Sequence, residues 1–467
     1  MNFTGKDYEK FMKVIKIGGG CLKGKKNIEQ ILELIAERGQ GHIIVVSALN
    51  GVTDFLIESM AAAVADESNI PGVISHLRNK HMLIARHLMT KGNILEHFNR
   101  DFNKYLSELE RLYYGLNFTR EITARMRDMI SSFGERFSAV LLSSALRSRR
   151  IQATCRMPDK IGLTTDGKFA DATVNMRKTI ENFQEHLQPS LKKDTILFIP
   201  GFYGVGPDGD ITTFGRGGSD YSAAVVAAAV KAEILEVWKD VDGYMSADPA
   251  FVPEAKLISQ LSYDEAAELS YFGAKILHPR TVEPLRKSRV KIAIKNTLNP
   301  DAEGSLISAY SPRLKTVIKS VAYDSDIGIL KVHASGVGAR LGILYLVSGK
   351  VAESGINIKS VVTSQTCISL LLARKDLEPS RRALMSLHPR PFRRLEKIED
   401  VALVSIVGEG LMTRKGIAAR CFSAVADCNV NVEMISFGPS RVALYFLVRN
   451  LDLHSAVNAI HSTFFSS

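Results

Sequence analysis

Two short stretches carry residues whose types and spacing suit anion chemistry. In Lys16-Ile17-Gly18-Gly19-Gly20 a lysine precedes three glycines. Backbone N–H groups of such a turn can cradle a phosphate, and the ammonium can neutralise charge on a transferring phosphoryl group. The order excludes a Walker loop, where the lysine follows the glycines. In Arg216-Gly217-Gly218-Ser219-Asp220 a glycine pair separates an arginine from an acid, ahead of a small-residue run ending at Val230. A helix starting there offers unpaired N–H groups and partial positive charge. Gly217 and Gly218 let an anion approach the backbone, and Ser219 or Asp220 is placed to cap the helix. Arg216 can grip a carboxylate through two parallel hydrogen bonds. Asp220 puts negative charge beside the phosphates, which requires Lys16 or a metal ion as its partner.

Further polar groups stand at other turns. Ser47 and Thr53 follow the apolar run Ile43–Val46 and serve either a ligand or a helix cap. Glu135 follows Gly134 at a helix start, where it either caps or, facing a cleft, holds a substrate ammonium. Asp240, Asp242 and Asp248 crowd one strand end. They face a nucleotide or Mg2+, or are surface turn acids. One reaction makes sense of the set. A carboxylate nucleophile is already ionised at neutral pH and needs no general base, so catalysis reduces to positioning and charge stabilisation. Lys16 and the glycine N–H groups would stabilise the phosphoryl group, while Arg216 and Glu135 would hold an amino acid by its two charged ends.

These residues need a scaffold that brings strand ends together. Val14–Ile17, Ile43–Val46, Ile151–Cys155, Ile196–Ile199, Ile234–Trp238 and a last strand, Val290–Ile294, read as short buried strands. Helical patterns lie between them, at Asn27–Arg38, across most of 54–150 and at Tyr263–Phe272. Phe133–Phe137 interrupts the helical region before an apolar helix, Ser138–Leu146. Pro207-Asp208-Gly209-Asp210 predicts a hairpin between Phe202–Val205 and Ile211–Thr213. The alternation implies an α/β fold with a largely parallel sheet, whose ligands sit beyond the carboxyl ends of the strands. Beyond about 315 the elements shorten, and residues 351–358 align with 425–432. Two α+β modules in tandem follow, their bodies separated by the Arg- and Pro-rich stretch Pro379–Arg394.

Composition sets outer bounds. A 467-residue chain with 46% hydrophobic and 23% charged residues implies two or three globular domains. Sixty basic against 49 acidic residues give a net charge of +11, which suits a nucleotide. The charge is dispersed and no nucleic-acid module is present, so nucleic acid is not expected as a partner. No apolar run suits a membrane span. Residues 1–11 read as an extension without a signal core, so a cytoplasmic protein is expected. Five scattered cysteines, none in a ligand pair with a nearby histidine, indicate reduced thiols and no metal site.

Taken together, KIGGG (16–20), VVSALNGVTD (45–54), SFGERFSA (132–139), TTFGRGGSDYSAA (212–224), KDVDGYMSADP (239–249) and FGAKILHPRT (272–281) resemble the aspartokinases in order and spacing. The resemblance covers nearly the whole chain, since a C-terminal pair of ACT domains is typical of that family. It implies an amino-acid kinase αβα sandwich over 12–312, a first ACT region over 313–396 with its core at about 325–395, and a second over 397–467. The second would be completed by a strand near 316–323. It also implies ATP-dependent phosphorylation of the L-aspartate β-carboxylate to 4-phospho-L-aspartate, at the head of lysine, threonine and methionine synthesis. ATP would act with Mg2+, and lysine or threonine would act as an effector at the ACT domains. Lys16 and Asp220 match catalytic positions. Ser47, Thr53, Glu135 and Arg216, Gly217, Gly218 and Ser219 match the aspartate side. Gly18, Gly19, Gly20, Lys239, Asp240, Met245, Ala250, Lys275 and Ile276 join Lys16 on the nucleotide side. A homodimer or higher homo-oligomer is expected from the small sheets. Departures gather around the nucleotide. The family's Lys-Phe-Gly-Gly-Thr-Ser reads here Lys16-Ile17-Gly18-Gly19-Gly20-Cys21. Lys239 replaces a threonine, Met245 a tyrosine and Ala250 an arginine. They leave a second reading open, an amino-acid-sensing regulatory homologue with a degraded nucleotide site.

Overall fold

The computed structural model describes residues 12–89, 92–274, 276–312, 317–337 and 340–465. The 1–11 extension and Lys275 lie outside the described residues. The chain divides into two compact units.

The first unit runs up to Tyr244 and includes Ser259–Ala266 and Ile276–Ser311. In chain order it contains β1 (Lys13–Ile17), α1 (Gly24–Arg38), β2 (Ile43–Val46), α2 (Val52–Ala65), α3 (Ile70–Leu88), α4 (Asn93–Thr119), α5 (Ala124–Ser131) and α6 (Phe133–Ser148). It continues with β3 (Ala153–Cys155), β4 (Ile196–Pro200), β5 (Tyr203–Val205), β6 (Ile211–Thr213), α7 (Gly218–Ala229), β7 (Ile234–Lys239) and β8 (Gln260–Ser262). After α8 (Tyr263–Phe272), whose later residues count with the second unit, come α9 (Pro279–Ser288), β9 (Lys291–Asn296) and β10 (Ser305–Ser308).

Eight strands form one sheet in the order β3-β4-β2-β1-β7-β9-β10-β8, parallel throughout except between β9 and β10. The IIVV run of β2 is buried at every position, as a central parallel strand must be. Helix α4 places Phe98, Phe102, Leu106, Leu109, Tyr113 and Leu116 on one buried stripe at three- and four-residue spacing. Helix α7 is buried nearly all round, and its small side chains let it pack closely against β1 and α9. The sequence places the last strand of this region at Val290–Ile294, but β10 follows it, turned back against β9. Phe133–Phe137 does not interrupt the helices either: it is the first turn of α6, with Ser132 marking the break from α5.

The second unit comprises Met245–Ile258, Ala267–Lys275 and the chain from Pro312 onward. Its elements are β11 (Ser320–His333), α10 (Ile343–Glu353), β12 (Ser360–Thr363), β13 (Cys367–Ala373), α11 (Leu377–Met385), β14 (Arg394–Val407), α12 (Ile417–Asp427), β15 (Met434–Phe437), β16 (Ala443–Val448) and α13 (Leu453–Phe465). The antiparallel sheet has the order β12-β13-β11-β14-β16-β15. The repeat in the sequence is a repeat of structure. Helices α10 and α12 both start after a left-handed glycine, Gly342 and Gly416 at φ 83°, and strands β12 and β15 occupy matching positions. The central strands β11 and β14 serve both modules: Ser320–Asp324 pairs with Leu403–Val407, and Ile329–His333 pairs with Arg394–Ile398. A boundary at 396/397 falls inside β14. Pro379–Arg394 is not a separator: its first half continues α11, whose Leu384 is buried in the first module's core.

Candidate active site

The parallel sheet delivers Lys16 to the middle of a cluster of strand ends. On β1 it is in register with Val45 of β2 and Val237 of β7. Beyond β1 comes Gly18, beyond β2 Ser47 and beyond β7 Asp240. A cavity of about 260 Å3 opens here, lined by Gly19, Gly20, Ser47, Thr53, Asp54 and Glu135, with residues 48–51 between them.

The glycine turn forms one end. A Cβ on Gly18, Gly19 or Gly20 would meet nothing nearer than 3.4 Å, and none of the three has a positive φ. The fold's own packing therefore does not require glycine here; the missing side chains leave backbone open to a ligand. Gly217 and Gly218 differ. Gly217 has φ +72°, and a Cβ there would lie 2.4 Å from the His278 Cβ; at Gly218 it would lie 2.9 Å from Phe202 Cδ2. Both are small because the chain packs against them.

Asp220 organises the charge. It lies in the first turn of α7 and is 6% exposed; Lys16 is 4% exposed. Lys16 Nζ pairs with Asp220 Oδ1, and Lys239 Nζ stands 3.3 Å from Oδ2. Burial pushes the Asp220 carboxyl up, but the two ammonium groups outweigh it and hold the acid below its ordinary value. Burial lowers the Lys239 ammonium, with Asp220 opposing.

Glu135 forms the other end. It is 3% exposed, in the first turn of α6. Ser219 Oγ donates to its Oε1 at 3.2 Å, while Oε2 is buried with no hydrogen-bond partner. Burial raises its carboxyl to about 7, against the pull of the Ala48 backbone, Ser219 and Lys16. A buried, half-satisfied carboxylate suits a cation brought by a ligand. Neither Ser219 nor Asp220 caps α7, as the sequence suggested. Gly217 occupies the cap without a side-chain bond, which frees Ser219 for Glu135 and Asp220 for the lysines. Thr53 and Ser47 are not caps either: α2 starts after Gly51 in a left-handed conformation.

The remaining sequence candidates are more scattered. Arg216 is exposed, has no ion pair among the described residues and does not line the cavity. Asp240 is exposed, its Oδ2 3.7 Å from where a Gly20 Cβ would lie, and Asp242 accepts from Asn296 Nδ2 at 2.8 Å. Asp248 is a structural acid in the second unit, binding the Ala250 N–H at 2.9 Å and the Tyr323 hydroxyl at 2.8 Å. Met245 and Ala250 also belong to that unit; Met245 bridges Leu257. Ile276 sits in a turn before α9, half-buried.

Two supporting residues escaped sequence reasoning. Asp128, buried on α5, accepts from the backbone of Ala170 and Thr213 and from the Thr213 hydroxyl, at 2.7–2.8 Å. It thereby fixes the strand that enters the Arg216–Asp220 turn. Arg280 donates to Asp171, Phe214 and Ala172 and lies 4.8 Å over the Tyr221 ring, fastening the start of α7. No motif announces Asp128. Arg280 stands within the Leu277-His278-Pro279-Arg280 signature.

Comparison with known proteins fits this geometry. Residues 12–296 match the model of the amino acid kinase family, and residues 404–464 match that of an ACT domain. Aspartokinase 1, chloroplastic, of Arabidopsis thaliana is 30% identical, spanning 97% of this chain and 80% of that protein. The chain spans 51% of a bifunctional aspartokinase/homoserine dehydrogenase 2 from the same plant, at 29% identity. The crystal structure of E. coli aspartokinase III in complex with aspartate and ADP is similar at 26% identity and TM-score 0.81, covering 97% of this chain and 100% of that one. The same enzyme in complex with lysine and aspartate is equally similar, at TM-score 0.81. The cavity, the lysine–aspartate pair and these matches together establish that the chain belongs to the aspartokinase family, ACT-regulated kinases that phosphorylate aspartate at the expense of ATP.

Proposed function

We propose that the 260 Å3 cavity holds L-aspartate between Glu135 and the glycine turn, and that its β-carboxylate attacks the γ-phosphorus of ATP, breaking the bond to the β,γ-bridging oxygen, to give 4-phospho-L-aspartate and ADP. The observation that carries this is the pairing of two chemically opposite ends. Glu135 presents an unpartnered buried carboxylate oxygen, matched to an ammonium. Gly19 and Gly20 with Lys16 present open backbone and a cation, matched to a phosphoryl group, while the Gly18 N–H donates to the Trp238 carbonyl at 3.2 Å. Ser47 and Thr53 line the space between, and Ser219 orients Glu135. Arg216, exposed and without an ion pair among the described residues, lies outside the cavity lining, and we assign its guanidinium to the substrate α-carboxylate at the cavity's edge.

The chemistry needs little else. The attacking carboxylate is ionised at neutral pH. Lys16 moves from Asp220 toward the phosphoryl oxygens as negative charge builds on them, and Asp220 holds Lys16 in place until then. On the nucleotide side we assign Gly18–Gly20, Lys239, Asp240, Lys275 and Ile276 from the resemblance; Met245 and Ala250, matched to the same side by the resemblance, belong to the second unit. Asp220 is matched by two lysines; magnesium would arrive on the ATP phosphates, and no step is assigned to it. The buried lysine–aspartate arrangement argues against a purely sensory homologue.

We further assign residues 12–312 to the kinase domain, 313–396 to a first ACT region and 397–467 to a second. The pairing of Ser320–Asp324 with Leu403–Val407 supports a second region completed by the chain before the first. Lysine is the effector to test first, then threonine. Exposed Val361 on edge strand β12 and Ile435 and Phe437 on edge strand β15 support pairing between copies of the chain. No helix among the described residues is long and apolar enough to cross a membrane.

The test is an ADP-release assay with hydroxylamine trapping, which converts an acyl phosphate to a hydroxamate. L-Aspartate is expected to give stoichiometric hydroxamate and L-glutamate none. ADP release without aspartate dependence would refute the assignment.

A further inference from the structure

We propose that Lys239 is a positioning residue for phosphoryl transfer: it keeps Asp220 paired while Lys16 turns from that carboxylate to the phosphoryl group. The inference rests on the roles proposed for Lys16 and Asp220, and it moves Lys239 from a nucleotide contact to a partner of the Asp220 carboxylate.

Strands β1 and β7 are parallel neighbours, with Ile17 opposite Trp238. Lys239 follows Trp238, and its side chain runs to the first turn of α7. There each oxygen of one carboxylate has its own ammonium, Lys16 on Oδ1 and Lys239 on Oδ2 at 3.3 Å. Both lysines are largely sequestered: their side chains are 5% and 19% exposed, and that of Asp220 is 8%. Two ammonium groups share one carboxylate, so the cluster carries one surplus positive charge beside Gly18–Gly20. Of the neighbouring groups, Glu135 feels Lys16 but is matched to the substrate ammonium once aspartate binds. Cys21 is a buried thiol that donates to the Trp238 carbonyl, and burial raises its pKa, so it stays neutral. Asp240 is exposed at the rim.

A single lysine would face a conflict. To stabilise the phosphoryl group it must leave Asp220, and a buried carboxylate stripped of its counter-ion is strongly unfavourable. With Lys239 in place, Asp220 retains a partner throughout. Lys16 is then free to follow the charge that develops on the phosphoryl oxygens. A threonine at this position, as in the family's usual Thr-Asp-Val-Asp-Gly, supplies no such charge.

The experiment is steady-state kinetics of the full chain with L-aspartate and Mg·ATP, comparing wild type with Lys239→Met, Lys239→Thr and Lys239→Arg. Removing the charge is expected to lower kcat about 10- to 100-fold, less than the ~10^2–10^3-fold typical of deleting a direct transition-state donor. KM for both substrates should stay within about twofold, and Lys239→Arg should recover most of kcat. In an Asp220→Asn background, where no carboxylate needs pairing, Lys239→Met should change kcat by less than about twofold. If Lys239→Met fails to fold, Lys239→Thr and Lys239→Arg still give the charge comparison. An unchanged kcat overturns the proposal. So does a raised KM for ATP with kcat intact, which makes Lys239 a nucleotide contact. Additive losses with Asp220→Asn also overturn it. Wild-type protein without aspartate-dependent turnover would refute the kinase assignment itself.

Discussion

Replacing Glu135 with glutamine should make the protein more stable and unable to hold its substrate. Burial raises the Glu135 carboxyl from 4.5 to about 7. The folded chain thus keeps a proton that the unfolded chain releases between those values. Stability from this group is complete below pH 4.5 and is lost as the pH rises through 7. Each tenfold change in acidity is about 1.4 kcal/mol, so the ionised carboxylate costs the fold about 3 kcal/mol at pH 8. Glu135→Gln, similar in shape and uncharged, removes that cost. Its thermal midpoint should exceed wild type at pH 8, with the gap closing as the pH falls toward 4.5. The same displacement governs substrate. An ammonium binds the ionised form, about 90% of the protein at pH 8 and about 10% at pH 6. The Kd for L-aspartate should therefore rise roughly tenfold from pH 8 to pH 6, with proton release on binding near pH 7. Calorimetric titration of wild type at pH 6, 7 and 8 and thermal scans of both proteins test this. A flat aspartate affinity across that range, or a Glu135→Gln variant less stable than wild type at pH 8, would refute the reasoning.

Other substitutions probe the remaining parts of the site. Lys16→Met should lower kcat by about 10^3-fold or more. Its stability loss should stay within about 1–3 kcal/mol in a thermal scan, because Lys239 still pairs with Asp220. Gly19→Ala should fold as wild type, since its Cβ meets nothing nearer than 3.4 Å. Its KM for ATP should nevertheless rise about tenfold or more, as the methyl group fills the space left for phosphate. Asp128→Ala leaves two backbone N–H groups and a hydroxyl without their acceptor. It should cost about 1–3 kcal/mol for each buried group left unpaired and raise the KM for aspartate.

How much was legible in the sequence depended on whether a feature was local. Ile43–Val46 announced a central strand because a four-residue apolar run between turns has few other uses. The internal repeat located two modules because helix, turn and strand recur together. The Lys16 turn and the Arg216–Asp220 turn were recognisable by composition alone. What failed was set by distant contacts. The first turn of α6 looked like an interruption because Gly134 breaks the pattern. In the fold Gly134 lies against Ala48, where a Cβ would come within 2.8 Å. Ser219 and Asp220 looked like caps because that is their local preference. Their partners, Glu135, Lys16 and Lys239, come from three other elements. Pro379–Arg394 looked like a linker by composition, yet Leu384 anchors its first half in a core. Asp128 gave no local sign, because its importance lies in Thr213, which is 85 residues away.

The most direct measurement is a crystal structure of the wild-type protein with L-aspartate and ADP bound. The substrate ammonium should lie within hydrogen-bond reach of Glu135, its α-carboxylate on Arg216, and its β-carboxylate directed toward Lys16 and the Gly18–Gly20 turn. Lys239 should remain on Asp220. Aspartate bound away from Glu135, or with its β-carboxylate turned from Lys16, would contradict this arrangement.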